Sequence, residues 1–140
     1  MFEPPFFYFG DTKHGAPEPS MDLNITLAEL KKTPGFTDKV GMILIHNGLA
    51  RGTTKDGTRR VASLHVTPDR EAIAAIQARH EQRPGIFRVL ILAREGTFVP
   101  GDDLLYIIVA GDIREHVKPV LAEVLEEVKT AAMHKEERLC

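Results

Sequence analysis

The chain has 140 residues, 43% of them hydrophobic and 27% charged, with a formal net charge of −2. That balance fits one globular domain with a single core, and so little charge provides no global field for nucleic acid or an anionic membrane, so any anion site has to be local. The one cysteine, Cys140, excludes an internal disulfide and no apolar run reaches bilayer length, so a cytoplasmic protein is expected.

Residues 1–22 carry Pro4, Pro5, Pro17 and Pro19 behind an aromatic opening, MFEPPFFYFG, and predict an extended N-terminal arm ahead of a single domain over 23–140. Thr26 and Glu29 have capping-box spacing and predict a short helix near 26–32, ended by Pro34-Gly35. Two short β-rich apolar runs follow, VGMILIH (Val40–His46) and VASLHV (Val61–Val66), both read as buried strands. The stretch between them, RGTTKDGTRR, has Asp56-Gly57 at its centre and predicts a long hairpin joining the two, its tip holding Lys55, Arg59 and Arg60 in solvent.

Pro68-Asp69 opens a helix predicted to run to about Gln82, with Ile73, Ile76 and His80 at helical spacing. IFRVLILA (Ile86–Ala93) is a third strand, Pro100-Gly101-Asp102 a tight turn and LLYIIVA (Leu104–Ala110) a fourth strand. Val117, Val120, Leu121, Val124, Leu125 and Val128 then recur at steps of three and four, which predicts a last amphipathic helix. Asp112 and Glu115 suit its start, Pro119 is awkward inside it, and Lys129, His134 and Lys135 fall toward its far end. The order β-β-α-β-β-α predicts a two-layer α+β domain, with helices covering a mostly antiparallel sheet.

Residue chemistry singles out four cations. Arg51 ends the first strand, Arg114 stands where the last helix begins, and Lys129 and Lys135 belong to that helix's far end. Arginine offers a planar fork to phosphate or carboxylate, lysine a compact charge, and a helix start after Gly111 adds free N–H groups. Together they could hold a phosphorylated ligand, while each alone reads as a surface charge. His46 and His65 sit in strands expected to pair and read as satisfied core or edge histidines, and His14 and His116 as solvated. No H-x-x-x-H or Cys/His cluster occurs, so neither a metal site nor a bound cofactor is expected. Asp102 and Asp103 read as turn residues ahead of an acid–base pair.

Three segments carry a resemblance: HNGLAR (His46–Arg51), REGTFVPGDDLLYIIVAGDIRE (Arg94–Glu115) and EEVK (Glu126–Lys129). Across roughly residues 40–137 the chain resembles the large, catalytic subunit of molybdopterin synthase. That family has G-x-V-R at the end of its first strand, then R-x-G-x-x-x-x-G-D, then a helix ending in a lysine. The matching residues are Gly48 to Arg51, Arg94 to Asp102, and Lys129.

The resemblance implies an α/β hammerhead fold and a central homodimer. It also implies a small ubiquitin-like sulfur-carrier subunit whose C-terminal Gly-Gly thiocarboxylate enters the site. There sulfur passes to cyclic pyranopterin monophosphate, giving molybdopterin in molybdenum cofactor biosynthesis. By the same resemblance Arg51 and Arg114 bind anionic substrate, Lys129 acts in sulfur transfer, and Lys135 corresponds to a second, downstream lysine.

The chain departs from the family at Ile113, where a histidine is expected, at LHVT (Leu64–Thr67), where a His-Tyr pair often stands, and in ending at Cys140. The synthase reading ranks first, because Arg51, Arg114 and Lys129 all stand at motif positions; these departures argue for the alternative of a non-catalytic paralogue that binds pterin or a partner as a homodimer, ranked second, ahead of a purely structural homodimer.

Overall fold

The computed structural model describes residues 21–140. In chain order its elements are α1 (Leu23–Lys31), α2 (Phe36–Lys39), β1 (Met42–Leu49), β2 (Val61–Pro68), α3 (Arg70–Glu81), β3 (Ile86–Ala93), β4 (Gly96–Phe98), β5 (Asp103–Gly111), α4 (Arg114–Glu127) and β6 (Met133–Leu139). A π-helical turn, Val128–Ala132, joins α4 to β6. The strands form two antiparallel sheets, ordered β1-β5-β3 and β4-β2-β6. The α+β class stands, and its antiparallel pairing is divided between two sheets rather than gathered in one.

β5 is the middle strand of the first sheet, and every residue from Leu104 to Gly111 is buried. Its pleat divides the core. Leu105, Ile107 and Val109 face a cluster with Val89 and Ile91 of β3 and with Val117, Val120 and Val124 of α4. Tyr106, Ile108 and Ala110 face the other way, toward Leu30 of α1 and Leu90 and Leu92 of β3. A strand covered on both faces needs apolar residues at every position, which is why its sequence is a continuous run without alternation. The first cluster also takes in Leu64, Val66, Phe98 and Met133, so the second sheet packs onto the same core.

Several expectations are corrected. β1 and β2 do not pair: β1 lies along β5 and β2 lies between β4 and β6. The long hairpin shrinks to a local turn with a Thr53–Arg60 bridge. Asp56 orders that turn by accepting from the Thr54 hydroxyl at 2.7 Å and from the Thr58 hydroxyl at 2.8 Å. These bonds hold the Asp56 carboxyl down at about 2. α1 begins earlier than the Thr26/Glu29 pair suggested, because Asp22 is its cap and accepts from the Ile25 amide at 3.0 Å. Met21 packs on the second cluster, and the arm expected before it falls in residues 1–20, outside the described residues.

The last helix stops at Glu127, and His134 and Lys135 belong to a strand. Pro119 lies within α4, and Ile113, which offers no side-chain bond, stands at the N-cap. His116 is not merely solvated: its Nδ1 lies 2.8 Å from Asp112 Oδ1.

α3 begins where Asp69 Oδ1 accepts from the Ala72 amide at 3.0 Å. Asp69→Ala should lower global stability by about 1 kcal/mol, read as a reduced urea midpoint with an unchanged slope. No loss would mean that the cap contributes nothing here.

Candidate functional site

A cleft of about 780 Å³ opens where the first sheet, the second sheet and the π-helical turn meet. Its walls include Arg51 and Lys55 from the segment after β1, Leu64 from β2, Lys129 from the π-helical turn, and Lys135 and Glu137 from β6. Four cations and one carboxylate thus face one space.

Each cation has a traceable reason for its place. The turn at Pro100–Asp102 grips the chain beside Arg51: Ala50 donates to the Asp102 carbonyl at 2.9 Å and Gly101 donates to the Ala50 carbonyl at 2.8 Å. Gly101 has φ +96°, a conformation that favours glycine, and Asp102 Oδ2 accepts from the Val99 amide at 2.9 Å. Arg51 itself donates from Nε to the Thr53 carbonyl at 3.1 Å, leaving the rest of its guanidinium to the cleft. The R-x-G-x-x-x-x-G-D block therefore acts partly as scaffold. Arg94 lies over the Phe98 ring at 4.5 Å and donates to the Asp103 carbonyl at 3.2 Å.

Lys129 rides on the π-helical turn, an irregularity often found at functional sites. The end of α4 that leads into the turn is pinned to α3. Buried His80 faces Glu127 Oε2 at 3.2 Å, Arg79 pairs with Glu127, and Arg83 pairs with Glu123 at 2.7 Å. Lys135 pairs with Val66 in the ladder and Glu137 with Leu64. Directly opposed residues share a sheet face, so both charges point inward with Val66 and Leu64 rather than outward with His134 and Glu136. Inward charge is one way an edge strand is blunted. Burial in that wall, and then the nearby Lys129 charge, lower the Lys135 pKa from its ordinary value, although the residue remains open to solvent at the cleft.

Of the four cations singled out in the sequence, Arg51, Lys129 and Lys135 come together. Arg114 does not: it begins α4, is highly exposed and pairs with neighbouring Glu115 at 3.6 Å. α4 runs from Arg114 to Glu127, which separates Arg114 from the π-helical turn by about 20 Å within one protomer. Lys55 and Glu137 were not singled out. Glu137 belongs to a polar strand that carries no apolar alternation, and Lys55 reads as an ordinary turn charge.

His65 is the satisfied edge histidine expected, its Nδ1 2.9 Å from Thr97 Oγ1. His46 is not: its Nε2 is buried without a hydrogen-bond partner among the described residues. Burial first, and then the Lys129 and Lys135 charges, lower its pKa. Among the described residues no helix is long and apolar enough to cross a membrane.

A family model described as MoaE protein matches residues 20–131. The molybdopterin biosynthesis MoaE protein of Burkholderia ambifaria is 24% identical, covering 86% of this chain and 83% of that one at a TM-score of 0.68. Molybdopterin synthase from Staphylococcus aureus is 20% identical, with 72% and 76% covered and a TM-score of 0.63. The complex of subunits 1 and 2 of the molybdopterin-converting factor from Helicobacter pylori gives 12% identity, coverage of 86% and 80%, and a TM-score of 0.66. At these identities the likeness to solved structures establishes the shared fold. No curated protein matches.

Proposed function

Because the chain belongs to the MoaE protein family, we propose that it is the large subunit of a molybdopterin synthase. It accepts sulfur from the thiocarboxylated Gly-Gly end of a small ubiquitin-like subunit and delivers it to cyclic pyranopterin monophosphate. The observation that carries this reading is the meeting of Arg51, Lys129 and Lys135 in one cleft from three separate parts of the chain.

The cleft suits the chemistry required. The substrate carries a cyclic phosphate diester and the donor is a thiocarboxylate, so each brings negative charge to a site with four cations and one carboxylate. Arg51 takes the phosphate by its planar fork. Lys129 contacts the transferring acyl group, and Lys135, with its ammonium disfavoured by burial and by the Lys129 charge, loses a proton more readily than an ordinary lysine and serves proton transfer. Arg114 enters this reading as a phosphate contact given across a homodimer, since α4 separates it from its own protomer's cleft. The two-subunit complex among the structural relatives supports a small-subunit partner.

A second reading is favoured by Ile113, half exposed at the start of α4 where the family has a histidine. An aliphatic side chain neither donates a proton nor holds phosphate, and in this reading the chain binds precursor without turnover. One experiment separates the two. The chain is mixed with a thiocarboxylated small subunit and the precursor, and molybdopterin is measured alongside precursor binding. Product is expected. Binding without product selects the second reading, and failure to bind either component removes both.

A further inference from the structure

His46 belongs to no part of the reaction described above, yet three observations tie it to the cleft. It stands on β1, directly opposite Ile107 of β5, on the sheet face that α4 covers. Residues at steps of two along a strand share a face, so His46 and Gly48 point the same way, and the chain runs on from there through Leu49 and Ala50, which line the cleft. Gly48 has no side chain, and the His46 ring occupies the space above it: Nε2 lies 3.4 Å from where a Cβ on Gly48 would stand. The ring thus lies along the strand toward the cleft end. Its Nε2 is shut away from solvent with no partner among the described residues.

The charged groups on the ring's side of the cleft are four cations and one carboxylate, and the core beside it is apolar. The π-helical turn contributes Lys129, and β6 contributes Lys135 with Glu137 on the cleft wall. The segment after β1 contributes Arg51 and Lys55. β5 offers Leu105 and Ile107, and α4 offers Val120 and Val124. Burial, and then the Lys129 and Lys135 charges, lower the imidazole pKa and so disfavour the imidazolium.

Resting on the reading of the cleft as an anion site, we infer that His46 is its proton-coupled member: when a dianionic group of the phosphate class binds between Lys129 and Lys135, the His46 imidazole behind the cleft wall takes up a proton from solvent and the anion's charge stabilises the imidazolium. The balance is the uptake of up to one proton per anion bound, greatest between the free and bound pKa values, with no covalent change. The bound anion offsets the two ammonium charges, which removes part of what disfavours the imidazolium.

The sign follows from linkage. A pKa higher in the bound state means that affinity rises as pH falls through the bound value and levels off below the free value, by about tenfold for each unit of difference. Inorganic sulfate is the suitable probe, because it stays dianionic from pH 5 to pH 8. Calorimetry should show wild type binding sulfate about tenfold more tightly at pH 5.5 than at pH 8, with proton uptake evident from the dependence of the heat on buffer. His46→Gln keeps Lys129, Lys135 and Glu137, and therefore any pH slope due to them, but should lose that gain.

The wild-type His46 ring resonance, identified by its absence in the variant, should titrate at higher pH when sulfate is saturating. Sulfate binding that weakens in Lys129→Ala while the His46 midpoint stays fixed overturns this inference and leaves the anion-site reading standing. No sulfate binding, or binding indifferent to Lys129→Ala and Lys135→Ala, overturns both.

Discussion

Lys129→Ala is expected to reduce molybdopterin formation by about 10²- to 10³-fold, the range associated with loss of one group that stabilises charge developing on a transferring acyl group. The side chain is exposed on the π-helical turn, while its neighbours Val128 and Ala132 carry the packing. Truncation should therefore leave the fold intact, and urea midpoints should agree with wild type within about 0.5 kcal/mol. The loss should fall on turnover more than on affinity for the small subunit, because one cation among four contributes modestly to association. Lys129→Arg sharpens the outcome. Arginine keeps the charge but not the compact ammonium. Rescue by arginine would reduce Lys129 to an electrostatic contact, and unchanged turnover in the alanine variant would take it out of the mechanism.

The largest effect on stability is expected at Ile107. The residue has no exposed surface, lies at the middle of β5, and faces the α4 side of the core between His46 of β1 and Ile91 of β3. Ile107→Ala should cost about 2–5 kcal/mol, since the lost transfer free energy is joined by the cavity left in a core too tightly packed to relax fully. Against a typical domain stability of about 5–15 kcal/mol, that is a large share of the total. Ile45→Ala is the internal control: it removes the same atoms from β1, but at a position 38% exposed. Urea unfolding should separate the two by at least about 1.5 kcal/mol, and equal losses would mean that burial on the α4 face does not govern this core. Sulfate affinity should also suffer in Ile107→Ala at low pH, because His46 is seated against Ile107.

Much of the local structure could be read directly. α3, with its cap and its stop, the third and fourth strands and the body of α4 follow from spacing and turn chemistry, because each is long enough for a periodic pattern to repeat. Elements that lack such a pattern escaped. α2 has four residues and β4 three, too few for any period to register. β6 reads HKEER between its apolar ends, and a polar strand at a sheet edge has one side in solvent and two charges turned inward toward the cleft. Without it, Lys135 was continued onto the helix and Glu137 went unnoticed.

Strand pairing was misjudged for a different reason. Asp56-Gly57 signals a turn, and a turn does form, but whether the flanking runs pair with each other depends on better partners elsewhere. β5 offers β1 eight register positions against a fully buried strand, and β2 finds β4 on one side and β6 on the other. Nothing within the segment from Met42 to Pro68 encodes that competition.

By itself, the sequence determined the α+β class, the periodic helices, the apolar strands and the residue types able to meet an anion, since all of these are set by neighbours within a few positions. Only the tertiary structure decided which cations share a space. It brought Arg51, Lys129 and Lys135 to one cleft, kept Arg114 a helix length away, and left His46 Nε2 buried without a partner among the described residues. The reason is physical: convergence depends on how two sheets and a helix pack, and that packing is fixed by contacts between residues far apart in the chain.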